Sequence, residues 1–111
     1  MDCGGCEMWA QLMTIRAKPG REGDLAGVLE QLRAFEQPDS GLLRTTLLQD
    51  QRDPSRLYTL VVFESETKAR ERENDPRRAE GLQAVRAALG EILDGPPEFV
   101  DLNVVVEMTQ D

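Results

Sequence analysis

The chain contains no histidine among its 111 residues. That excludes an imidazole general base, imidazole metal ligands and a proximal-histidine haem site, so haem is not expected as a partner. Aromatic side chains are scarce: one Trp, one Tyr and three Phe, which leaves few places for a ring-stacking site. Cations are in deficit, with 13 Lys plus Arg against 21 Asp plus Glu and a net charge of −8. A nucleic-acid partner needs a basic footprint and an anionic membrane needs a basic surface, so neither is expected. No apolar run approaches the roughly 20 residues that span a bilayer. The segment 1–7 lacks both the basic start and the apolar stretch of a signal peptide, which makes a cytoplasmic location the expectation.

What is present suits one soluble domain with one modest core: 40% apolar and 31% charged residues. Residues 57–76 are the most informative stretch. Leu57-Tyr58-Thr59-Leu60-Val61-Val62-Phe63 is a strand-like apolar run, and after Glu64-Ser65 comes a helix in which Ala69 is the only apolar residue before Pro76. Ser65 is placed to cap that helix. Upstream, 8–17 reads as a strand ending at Lys18-Pro19-Gly20. The 3–4 spacing of Leu25, Val28, Leu29, Leu32 and Phe35 then predicts an amphipathic helix over 21–36. Residues 42–49 form a second strand, joined to the third by a polar loop. Beyond Pro76, Leu82, Val85, Leu89, Ile92 and Leu93 mark a helix over 77–93, and a last strand is expected over 98–107.

The order β-α-β-β-α-β is the ferredoxin-like α+β arrangement, a four-stranded antiparallel sheet with helices on one face. Its strands are apolar on both sides. Leu57, Val61 and Phe63 alternate with Leu60 and Val62; Met13 and Ile15 alternate with Ala10 and Leu12. In the last strand Val100, Leu102, Val104 and Val106 oppose Phe99 and Val105. A sheet with one wet face alternates apolar and polar residues, so the second face needs an apolar cover. A second copy packed sheet to sheet about a twofold axis supplies it, and a homodimer is expected; a monomer with an apolar ligand groove is the alternative.

Several segments carry a family resemblance in their order and spacing: Ile15-Arg16-Ala17-Lys18-Pro19-Gly20, Gly41-Leu42-Leu43, Phe63-Glu64-Ser65-Glu66, Asn74-Asp75-Pro76 and Asp94-Gly95-Pro96. Over residues 8–107 the chain resembles the antibiotic biosynthesis monooxygenase-like domain of the dimeric α/β barrel family, leaving 1–7 and 108–111 as tails. The resemblance implies dimers with a small-molecule cavity between each sheet and its helices. Some members oxidise aromatic polyketides or quinols with molecular oxygen and no cofactor, others degrade haem, and several are isomerases or have no known activity. Many relatives carry histidines where this chain has Arg72 and Arg77, and an acidic residue where it has Val61.

Cofactor-free oxygenation requires a deprotonated phenol or quinol whose own carbanion reduces oxygen. The protein stabilises the anion and excludes water. An Arg or Tyr donor and a stacking ring beside an apolar pocket serve that end. The substrate-binding candidates are Trp9, Arg44, Tyr58, Phe63, Arg72 and Asn103. Each has a plainer reading: Trp9 capping the core, Tyr58 packing on a helix with its hydroxyl in water, Arg44 in an interface salt bridge, Asn103 a surface or interface amide. Phe63 is the strand-end aromatic of the resembling motif, and Arg72 stands where relatives often have histidine. Arg70, Glu71, Arg72 and Glu73 otherwise read as a solvated helix of mixed-sign pairs. No catalytic acid–base pair is legible, and no cofactor is expected. The Cys3-Gly4-Gly5-Cys6 motif precedes the first strand rather than opening a helix. It suits a functionless tail better than a redox pair or a four-thiolate zinc site shared across a dimer. The function expected is a cofactor-independent monooxygenase-like activity on a small aromatic or quinol. A non-catalytic dimeric module for ligand binding or stress response is the alternative, and an isomerase the third option.

Overall fold

The computed structural model describes residues 8–110. Cys3 and Cys6 lie outside that range. Four strands, β1 (Trp9–Arg16), β2 (Leu42–Gln49), β3 (Arg56–Phe63) and β4 (Glu98–Asn103), form one sheet in the order β2-β3-β1-β4. Every neighbouring pair is antiparallel. Helices α1 (Leu25–Ala34), α2 (Glu66–Glu73) and α3 (Ala79–Ile92) complete the ferredoxin-like βαββαβ order. The two long helical segments read from the sequence each open with a 3-10 turn, Glu22–Asp24 before α1 and Pro76–Arg78 before α3. Proline suits the first position of such a turn because its missing N–H has no partner there anyway.

Registration decides which side chains meet. β1 pairs with β3 from Trp9 opposite Phe63 to Arg16 opposite Arg56, and with β4 from Trp9 opposite Asn103 to Thr14 opposite Glu98. The odd residues of β1 and β3 face the helices. Ile15, Ala17 and Leu57 pack with Leu25 and Val28 of α1 and Val85 and Ile92 of α3 as the main core. A second, smaller cluster joins Trp9 and Phe63 to Ala69 of α2, with Leu42 and Val61 against it. Ser65 Oγ accepts from Lys68 N at 3.1 Å and caps α2 as the sequence implies. Gly41, at φ +81°, turns the chain into β2 where a Cβ would lie 2.6 Å from Lys68 Cβ, so only glycine fits between that turn and α2.

On the opposite face stand Leu12, Tyr58, Leu60, Leu48, Val100 and Leu102, set there by strict alternation from the core residues. Among the described residues no helix covers them, and Leu48, Val100 and Leu102 remain exposed.

The last strand is shorter than the apolar pattern suggests, ending at Asn103 rather than continuing to 107. The described ladder with β1 ends at Trp9 opposite Asn103, and Val104 N makes one further bond, to Met8 O at 3.1 Å. The chain then leaves the sheet edge. Glu107 pairs with Arg44 on β2, the opposite edge. Arg44, Val62, Ala10 and Leu102 form one row across the sheet, and the tail traverses that row. Ala10 and Val62 are therefore buried although they lie on the uncovered face.

Candidate functional site

The second cluster is where chemistry-bearing side chains converge. Trp9 opens β1 and Phe63 closes β3, and their register makes them direct cross-strand neighbours beneath α2. The ring centroids are 6.0 Å apart at an interplanar angle of 43°, and both residues are buried. Such tilted pairs contribute about 0.5–1.5 kcal/mol beyond the area they bury.

Helix α2 is polar almost throughout because it presents guanidinium groups to this pair. Arg70 places Cζ 4.8 Å from the Trp9 ring centroid, and Arg72 places Cζ 5.3 Å from that of Phe63. Contacts of this kind contribute about 0.5–2 kcal/mol, more as water is excluded. Arg70 is held by Glu66 at 3.1 Å, Glu73 at 3.0 Å and Asp101 of β4 at 3.1 Å. Those three hydrogen bonds, Glu73's foremost, raise its pKa, and Asp101 is in turn lowered by hydrogen bonds from Gln11 and Arg70. Arg70 thus ties α2 to the edge strand and forms a cover over Trp9.

Arg72 is committed differently. Its guanidinium grips Glu36, just beyond α1, through Nε at 3.0 and 3.2 Å and Nη2 at 2.6 Å. Both side chains are largely shielded from water. Burial pushes the Glu36 carboxyl up, but hydrogen bonds from Arg72 and Ser40 and the charges of Arg72 and Arg78 outweigh it, so the group is held below its usual range. A third guanidinium, Arg78, lies in the 3-10 turn between α2 and α3 and is 3% exposed. Its Cζ stacks 5.4 Å from the Phe35 ring centroid, and Nη1 donates to Arg72 O at 3.3 Å. Nε of Arg78 has no hydrogen-bond partner among the described residues. Burial and the like charge of Arg72 push its pKa down, against the opposing pull of Glu36 and Asp75.

Of the six residues singled out from the sequence, Trp9, Phe63 and Arg72 come together here. Asn103 pairs with Trp9 across the β1–β4 ladder and stands exposed at the rim on the same side. Arg44 and Tyr58 do not join them. Tyr58 pairs with Thr14 and Leu48 on the face away from the helices, so it does not pack on a helix; Arg44 is on that face too, bonded to Glu107. Arg70, Glu36, Phe35 and Arg78 were not legible as site residues. Arg70 and Arg72 look like solvated helix positions until the rings beneath them are known. Glu36 lies 36 residues from Arg72, a separation with no local pattern.

Between α2 and the sheet, the expected cavity is occupied by the packed side chains of Trp9, Phe63, Ala69, Leu42 and Val61. A shallow groove of about 750 Å³ runs along the outside of α2 and the following turn, lined by Glu66, Arg70, Asn74, Pro76 and Arg77 among others. Arg70 both lines this groove and covers Trp9, so it separates the groove from the buried rings. The arrangement can sandwich an aromatic ring and hold an oxyanion. Its carboxylates are already engaged, Glu36 as the counter-ion of Arg72 and Glu66, Glu73 and Asp101 as those of Arg70.

The fold has many solved counterparts. A protein of unknown function from Nitrosomonas europaea is 22% identical, with a TM-score of 0.71 over 97% of this chain and 99% of that one. A conserved protein from Methanosarcina mazei Go1 is 14% identical, with a TM-score of 0.73 over 90% and 95%. A mutant of SnoaB, a cofactor-independent oxygenase from Streptomyces nogalater, is 14% identical, with a TM-score of 0.72 over 94% and 99%. At these identities the likeness shows the fold. No curated protein matches the sequence significantly. Residues 8–84 match the family model described as antibiotic biosynthesis monooxygenase, most of the chain, and on that match the protein belongs to the antibiotic biosynthesis monooxygenase family.

Proposed function

We propose that the protein is a cytoplasmic homodimer that binds a small planar phenol or quinol at the Trp9–Phe63 end of its sheet and oxygenates it without a cofactor. The observation that carries this reading is the buried Trp9–Phe63 pair roofed by the guanidinium groups of Arg70 and Arg72. An aromatic ring entering from the α2 groove displaces Arg70 and takes its place over Trp9. Phenols and quinols ionise more readily beside cations in a site shielded from water, and the resulting anion is the species that reduces oxygen. The protein then has to orient the ring and keep water away from the carbanion. The dimer rests on the uncovered apolar face, whose exposed Leu48, Val100 and Leu102 need a partner surface. The likeness to SnoaB agrees with the reading.

One observation favours a second reading, a module that binds such ligands without turning them over. Arg72, where relatives often have a histidine, is closed into a bidentate pair with Glu36, which leaves neither group available as a proton acceptor. Oxygen uptake with a panel of anthrones and quinols separates the two. Uptake well above the uncatalysed rate, lost in Trp9→Ala, supports oxygenation. Binding seen as quenching of Trp9, the sole tryptophan, with no added uptake, leaves the module. Absence of both binding and uptake rejects the site.

A further inference from the structure

Two guanidinium groups and one carboxylate meet where the end of α1, the end of α2 and the start of α3 come together. Arg72 has its counter-ion in Glu36, with three contacts between 2.6 and 3.2 Å. Arg78 has none. It is 3% exposed, its guanidinium's only hydrogen bond among the described residues is to the Arg72 carbonyl at 3.3 Å, and its Nε proton is buried with no acceptor among them. Asp75, the other acid near the turn, is spent on Arg77, to which it is bonded at 2.6 Å. The cluster therefore carries one positive charge more than it neutralises, in a place where an unmatched charge is strongly disfavoured. A buried donor without a partner in an otherwise well-bonded chain is where a ligand atom belongs.

We infer that Arg78 is the anion-recognising residue of the site, and that the natural ligand carries an ionised oxygen, a carboxylate or an acidic enol or phenol, on its aromatic frame. The geometry favours Arg78 over Arg72 for this task because Arg72 cannot turn to a ligand without abandoning Glu36. The two cations flank the same end of the site. Arg72 stacks on Phe63 and its backbone carbonyl accepts from Arg78 Nη1, which ties the two cations together at the Phe63 end of the site. Phe35 holds the Arg78 plane from the other side, and Gly81 makes room for Phe35, since a Cβ there would fall 2.3 Å from the ring. The result is a guanidinium with one face fixed and one edge unmatched.

This inference rests on the aromatic site proposed above, and two probes with the same ring separate the two ideas. 9-Anthracenecarboxylate and 9-anthracenemethanol are titrated into the full-length protein by calorimetry at low salt. One charge-assisted hydrogen bond gained should make the carboxylate bind about tenfold tighter. Arg78→Gln should bring the two probes to within about twofold of each other, whereas Arg70→Gln should keep the preference. Because the Gln variant perturbs a buried residue, the Arg side-chain Nε–Hε spectrum of the unmodified protein supplies a second reading. The Arg78 resonance should move on saturation with the carboxylate and stay in place with the alcohol. Equal affinity for the two probes, or an unmoved Arg78 resonance at saturation, overturns the inference and leaves the aromatic site standing. If neither probe binds, both fall.

Discussion

Gly81 offers the sharpest test of how the site is supported. In most helices Gly→Ala stabilises by about 1 kcal/mol, because alanine has less backbone freedom to lose on folding. At Gly81 in α3, the added methyl would sit 2.3, 2.5 and 2.7 Å from three carbons of the Phe35 ring, inside any tolerable contact. Overpacking of this kind costs about 1–3 kcal/mol, so the net effect of Gly81→Ala lies between neutral and about 2 kcal/mol destabilising. Gly27 in α1 has nothing within 4 Å of its virtual Cβ and serves as the control, expected to stabilise by about 1 kcal/mol. At about 4 °C per kcal/mol for a domain of this size, the two variants should differ in Tm by roughly 4–12 °C. Differential scanning calorimetry at one fixed protein concentration measures this, since self-association would otherwise shift Tm. The reasoning also requires coupling: in a Phe35→Ala background the methyl has room, and Gly81→Ala should turn neutral or stabilising. A Gly81→Ala protein as stable as Gly27→Ala, with no coupling to Phe35, would show that the ring is not wedged against α3 and that Arg78 is not braced from that side.

Glu36→Gln leaves Arg72 without its counter-ion and should cost about 2 kcal/mol, less than for a fully buried pair because the partners retain some exposure. The Glu36 carboxyl is depressed in the fold, so its contribution is present above its usual value near 4.5 and is lost as pH falls below that; urea midpoints from pH 6 to 3 should drop more steeply for the unmodified protein than for Glu36→Gln, and parallel curves would contradict the pairing. Arg70→Gln removes solvent-exposed ion pairs and the contact over Trp9 and should move the urea midpoint little, while iodide quenching of Trp9 increases because its cover is gone; unchanged quenching would place the cover elsewhere. Leu102→Glu puts a charge on the uncovered sheet face and should yield a folded monomer by light scattering, whereas a monomeric unmodified protein would remove the dimer altogether.

The architecture was largely legible because it depends on periodicity. The alternation in 57–63 gives both the strand and its two faces, and the Ser65 cap and Pro76 break bracket the charged helix. Where the reading missed, the cause was nonlocal. Val104 and Val106 continue an apolar alternation that looks like strand, yet β4 ends at Asn103 and the following residues bring Glu107 to Arg44 on the far edge strand. Tyr58 is a plausible donor by type, and only the register with Thr14 and Leu48 turns it away from Trp9. Nothing near Arg72 in sequence announces Glu36. Arg78 looks like one more surface cation after a proline until the fold lays Phe35 against it.

The charge pattern of the whole chain sharpens what the site has to do. With a net charge of −8, the protein's long-range field repels an anionic ligand rather than steering it. Beyond about 10 Å at moderate salt that repulsion is screened, so it weakens encounter more than it weakens the bound state. Affinity for an anion must then come from contacts that screening does not reach, meaning cations out of water with donors already aimed. Arg70 does not meet that description, being half exposed and surrounded by three carboxylates. Arg72 meets it in burial but is already neutralised. Arg78 alone combines burial, a braced ring contact and an unmatched donor, so within this acidic chain the selectivity of the site turns on a residue outside the charged helix that first draws attention.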